Sequence, residues 1–93
     1  MTAAARDRLL ATFLDLVRID SPSRGEAACA RYCARELTRA GCVVDFDGSE
    51  PVTGSEVGNL TAILPGDAPG VLVLSAHLDC VEPCRGVEPV VQD

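Results

Sequence analysis

The sequence contains no lysine. All eight of its basic residues are arginine, set against fourteen acidic ones, and the net charge is −6. The arginines sit mostly on the first half of the chain and form no patch, which excludes a nucleic-acid-binding surface. No apolar run reaches the roughly 18 residues that a membrane-spanning helix needs. Nor does the N-terminus read as a signal peptide: Arg6, Asp7 and Arg8 come first, and Asp15 and Arg18 interrupt the apolar residues that follow. A cytoplasmic location is the expectation. The five cysteines, Cys29, Cys33, Cys42, Cys80 and Cys84, are an odd number. Without a secretory signal they argue against a disulfide framework and for reduced thiols. Histidine is nearly absent too, and His77 is the only one.

What is present is a chain of 93 residues, 47% of them hydrophobic. That is one small domain at most, able to bury only a modest share of its surface. From residue 6 to residue 20, Leu9, Leu10, Phe13, Leu14, Leu16 and Val17 recur at spacings of three and four, which predicts an amphipathic helix. Pro22 disfavours a helical Ser21, so the helix ends near Asp20. Ser23 followed by Glu26 fits a capping box for a second helix, running to about Ala40 with Gly41 as a left-handed stop. On that helix Cys29 and Cys33 read as small buried apolar residues. A metal pair at that spacing is the alternative, but no histidine lies near.

Cys42 to Phe46 is strand-like, and 47–58 is a polar loop rich in Gly, Ser and Pro. Asn59 to Leu64 alternates as a half-buried strand. Asn59-Leu60-Thr61 matches a glycosylation acceptor, which has no meaning without secretion. The cluster Pro65 to Gly70 predicts a turn joining antiparallel strands. Val71 to Ala76 is apolar on both faces, as a central strand covered on both sides would be. The architecture expected is α/β, two helices followed by about three strands of a mixed sheet. These are too few elements to cover both faces of a central strand, so a larger sheet is expected to be missing. No internal repeat occurs, and the end at Val90-Val91-Gln92-Asp93 offers no closing element.

The chemistry concentrates where the apolar run ends, at Ser75-Ala76-His77-Leu78-Asp79. In open α/β sheets ligands bind beyond the carboxyl ends of the strands. A neutral imidazole there is a good zinc ligand. In extended backbone, side chains two residues apart point the same way. Asp79 could then fix the tautomer of His77 and raise its basicity. The bland alternative is a hydrogen-bonded surface histidine. A rival metal reading joins His77, Cys80 and Cys84, with Cys42 as a fourth ligand, in a small zinc or thiol module without catalysis. Loop thiols with no role are the plainer reading of Cys80 and Cys84.

Three stretches together resemble a known family. They are Phe13-Leu14-Asp15-Leu16-Val17-Arg18-Ile19-Asp20-Ser21-Pro22-Ser23, then Gly58-Asn59-Leu60, then Ser75-Ala76-His77-Leu78-Asp79, with Gly86-Val87-Glu88-Pro89-Val90 as a following loop. The chain resembles the N-terminal portion of the di-zinc metallopeptidase and deacylase family, which includes tripeptidase T and the carboxypeptidase G type enzymes. The tripeptidase T-like branch is the nearer likeness. The resemblance implies that residues 1–93 are part of a catalytic domain that hydrolyses peptide or N-acyl amide bonds. It implies His77 as first ligand of one of a pair of zinc ions and Asp79 as the catalytic-site aspartate that positions it. The substrate implied is a peptide or an N-acyl amino acid, and the attacking group a metal-bridging water.

The chain departs from the family at Cys80, usually threonine, at Cys84, often glycine, and at Cys29 and Cys33, commonly aliphatic. The family's bridging aspartate, general-base glutamate, other carboxylate ligand and distal histidine have no counterpart among these residues. A chain holding one ligand is expected to be a truncated segment, inactive alone, with oligomeric state left open.

Overall fold

The computed structural model describes residues 1–92. Asp93, the last residue of the expected tail, lies outside the described residues. The elements in chain order are α1 (Ala3–Arg18), α2 (Ala27–Arg39), β1 (Val43–Phe46), α3 (Glu50–Thr53) and β2 (Leu60–Ile63). The fold is α/β, with β1 and β2 forming a two-stranded antiparallel sheet. No helix among the described residues is long and apolar enough to cross a membrane.

Helix α1 begins at Ala3, earlier than the apolar periodicity alone indicates. The Thr2 hydroxyl accepts from the Ala5 N–H at 3.0 Å and satisfies one free donor of the first turn. The apolar face formed by Leu9, Leu10 and Phe13 stays exposed. Interelement packing runs instead between α2 and the two strands.

Helix α2 starts at Ala27, and the Ser23–Glu26 capping box does not form. Gly25 N–H donates to the Pro22 carbonyl and Arg24 adopts φ 71°, so a tight turn separates Ser23 from the helix. The Ser23 hydroxyl is used elsewhere, as shown below. The far end behaves as its glycine implies. Gly41 at φ 98° lets its own N–H reach Thr38 O and the Cys42 N–H reach Leu37 O, which closes a Schellman motif. Ala27, Cys29 and Ala30 of α2 are buried. Burial also raises the Cys33 thiol above its ordinary pKa, in keeping with an apolar role.

The strands pair from Val43 opposite Ile63 to Phe46 opposite Leu60. The connection between them was expected to be wholly loop, but it contains α3, which stops at Gly54 in left-handed conformation. Asp47 closes it. Its carboxylate accepts from Ser49 Oγ at 2.6 Å, Asn59 N at 2.8 Å and Asn59 Nδ2 at 2.9 Å. These donors, Ser49 first, pull the Asp47 carboxyl down to about 2. Gly58 is obligatory here, because a Cβ would overlap the carbonyl and carboxylate of Asp47.

The expected third strand is not formed. Val71 to Ala76 makes no ladder, and Val71 is 91% and Leu74 87% exposed. A strand exists only through a partner that satisfies its N–H and C=O groups, and no partner occurs among the described residues. The turn at 65–70 therefore does not return the chain onto β2; the antiparallel pair is β1 with β2. The result is a plate 18 Å thick with a radius of gyration of 15.1 Å. A compact domain of this length would have about 12 Å.

Candidate functional site

The site is assembled by two segments 57 residues apart in sequence. One is the turn after α1, from Asp20 to Ser23. The other is Leu78 to Gly86, beyond the apolar run. Ser21 is 2% exposed and donates its hydroxyl to the Leu78 carbonyl at 2.7 Å. Cys80 N–H donates to the Ser21 carbonyl at 2.7 Å, within a parallel bridge between Pro22 and Cys80. Gly86 N–H donates to the Asp20 carboxylate at 2.8 Å. Ser23 Oγ donates to Asp79 Oδ2 at 2.5 Å.

His77 Nδ1 lies 3.0 Å from Asp79 Oδ1 and 2.8 Å from the Asp79 carbonyl oxygen. An ionised carboxylate and a carbonyl only accept, so in this geometry Nδ1 holds the ring proton. Donation by Ser23 is the largest influence on the Asp79 carboxyl and lowers its pKa; burial opposes this, and His77 adds to the lowering. The His77 side chain is 84% exposed. Its Nε2 bonds no protein group among the described residues, so the lone pair there faces outward. His77 and Asp79 border an open cleft of about 890 Å³, with Leu37, Leu60 and Leu74 on its apolar wall and Glu26 on its rim. Glu26 accepts from Ser55 Oγ at 2.7 Å and from Arg24 N–H at 2.8 Å; the Ser55 bond leads in lowering its carboxyl pKa.

The zinc or thiol module built on His77, Cys80, Cys84 and Cys42 finds no support. No three or more His, Cys, Asp or Glu side chains among the described residues cluster so as to hold a metal. Cys84 is buried with its Sγ directed at the Cys80 carbonyl at 3.8 Å, and burial raises its pKa, which favours the thiol over the ligating thiolate. Cys42 lines the same cleft, next to the Schellman turn, but joins no metal-holding cluster among the described residues. For a zinc ion the fit is partial. A single imidazole with a bare Nε2 and a carboxylate behind it is the right donor type. It is also only one donor, and the other ligands of a tetrahedral ion are not among these side chains.

Reading the sequence alone missed Ser21, Ser23 and Asp20 as parts of this site. The signal was there in Asp20-Ser21-Pro22-Ser23, read as a helix end, a cap and part of a family likeness, with no site role given to its side chains. A proline that ends a helix also leaves the polar side chains beside it free to bond elsewhere.

No protein-family model matches the chain. It is 37% identical over 87 residues to the uncharacterized protein YqjE of Bacillus subtilis (strain 168), a match covering 92% of this chain and 24% of that protein. Its structure is similar to the crystal structure of aminopeptidase PepT from Bacillus cereus ATCC 10987. The TM-score is 0.85 at 34% identity, over 94% of this chain and 24% of the aminopeptidase. The chain thus spans about a quarter of the length of each protein it matches. Its α/β fold is that of a segment of an aminopeptidase, and it resembles a peptidase in sequence order and shape alike.

Proposed function

We propose that this chain forms part of the catalytic domain of a zinc-dependent hydrolase of peptide or N-acyl amide bonds. It contributes His77 as a metal ligand and Asp79 as the carboxylate that orients it. The observation that carries this reading is the Nδ1 contact to Asp79 at 3.0 Å, with the ring 84% exposed on the cleft rim. A ligand ring needs its second nitrogen held and its first nitrogen free. The likeness to aminopeptidase PepT supports the reaction class, a peptide being the substrate in the general sense. Bound zinc would polarise the scissile carbonyl and activate water. The residues here would supply one donor and hold the proton at Nδ1. With one donor supplied by these residues, the 93 residues alone are expected to show no hydrolase activity.

The test is a chimera in which this chain replaces the aligned part of the Bacillus cereus aminopeptidase. With zinc present it should hydrolyse tripeptides, and His77→Ala should lower kcat/KM by on the order of 100-fold or more. A folded chimera that keeps full activity with His77→Ala overturns the reading. So does turnover of tripeptides by the 93-residue chain alone.

A further inference from the structure

We propose that Ser23 is a positioning residue: its hydroxyl locks the Asp79 carboxylate in the orientation that holds the proton of His77 on Nδ1 and leaves Nε2 bare. The inference rests on the proposed role of His77 and Asp79 and adds a third member to that pair.

The two oxygens of Asp79 face different partners. Oδ2 takes the Ser23 hydroxyl at 2.5 Å, and Oδ1 takes His77 Nδ1 at 3.0 Å. A free aspartate rotates about its terminal bond at little cost, because that torsion is broad and roughly two-fold. Pinning one oxygen therefore fixes the other. The bond is at the short end for a hydroxyl donating to a carboxylate, where charge assistance is strongest. The exposed His77 ring has no packing to hold it, so its orientation depends on Asp79.

Ser23 can do this because its own loop is held from two sides. Towards the site, Ser21 binds the Leu78 carbonyl and the Cys80 N–H, and Asp20 binds the Gly86 N–H. On the opposite side, Glu56 N–H donates to the Arg24 carbonyl at 3.0 Å, and Glu26 accepts from both Ser55 and Arg24. Between the two anchors Arg24 is held at φ 71°, an uncommon conformation for a residue with a Cβ. Such an outlier persists only where its surroundings over-determine it, and these are the bonds that do so.

His77 is the only histidine, so its ring nitrogens can be read directly by two-bond ¹H–¹⁵N correlation on the labelled full chain. The spectra are taken at alkaline pH, where imidazole is neutral. Wild type should show Nδ1 protonated and Nε2 unprotonated. Ser23→Ala should lower the Nδ1–H to Nε2–H ratio by about threefold or more, the equivalent of a fraction of one hydrogen bond. Ser23→Thr, which keeps the hydroxyl, should restore it. Thr38→Ala removes a hydroxyl bond within α2, to the Ala34 carbonyl at 2.7 Å, and should leave the ratio as in wild type. An unchanged ratio in Ser23→Ala, or an equal drop in Thr38→Ala, overturns the role of Ser23 while the His77–Asp79 pair stands. If wild type itself carries the proton on Nε2, the pair fails, and with it the reading on which Ser23 depends. Should Ser23→Ala lose its helical circular dichroism, Ser23→Cys, nearly the same size and a weak donor, decides by the same ratio.

Discussion

His77 Nδ1 and Asp79 Oδ1 stand 3.0 Å apart on an exposed rim, joined across two residues of chain. Because the partner is a carboxylate rather than an amide, it can only accept, and the ring proton has one place to go. Replacing it by an amide removes the charge and leaves a side chain that can accept or donate, so the group no longer fixes the choice. In the chimera, Asp79→Asn should lower zinc affinity by roughly 10- to 100-fold, the usual cost of losing a ligand's supporting partner. Competition titration with a zinc chelator measures this. Affinity within twofold of the parent would mean that Asp79 does not orient the ring.

The thiols should be dispensable for metal. Cys80→Ser and Cys84→Ser are expected to leave the zinc content of the chimera unchanged, as read by elemental analysis. Cys84→Ser should nonetheless lower stability, because a buried Sγ beside a carbonyl becomes a more strongly solvated hydroxyl. Zinc lost in either variant would reinstate a thiolate site.

Acid should loosen the β1–β2 connection before the rest. The Asp47 carboxyl is held down to about 2 in the folded chain, below the ordinary value of 3.8. A depressed carboxyl contributes stability that is present above the unfolded pKa and lost as pH falls through the folded one. The loss should therefore fall between about pH 4 and pH 2, and Asp47→Asn should flatten it. Amide exchange at Asn59 and Ser49 follows this locally. At neutral pH, Gly58→Ala should destabilise the chain by about 3 kcal/mol through overlap with Asp47, measured by urea unfolding.

The unpaired apolar run should bind hydrophobic dyes. Val71 to Leu74 exposes four consecutive aliphatic side chains, each 78% to 91% exposed. A contiguous patch of this kind is sticky in water. Leu72→Lys with Leu74→Lys should remove most of the anilinonaphthalene sulfonate fluorescence without changing the helical signal. Unaltered fluorescence would move the dye site to the less open Leu9, Leu10 and Phe13 face of α1.

Local patterns were legible wherever a short stretch decides its own structure. The three- and four-residue spacing in α1, the glycine stop of α2 at Gly41 and the alternation in β2 all depend on neighbours within a turn or two of chain. The capping box failed for a long-range reason. The tight turn through Arg24 and Gly25 separates Ser23 from the helix, and its hydroxyl donates instead to a carboxylate 56 residues away. The strand expected at 71–76 failed for a related reason: hydrophobicity marks a segment as able to join a sheet but cannot supply its neighbours.

The order of residues alone therefore determined which pair the proposed site is built on, because His77 is unique and Asp79 lies within its reach along the backbone. It also determined α1 and α2, whose hydrogen bonds close within four residues. Only the tertiary structure decided that the turn after α1 comes back to clasp the segment around Asp79. Contacts between distant segments depend on how every intervening turn directs the chain, and no local pattern encodes that sum.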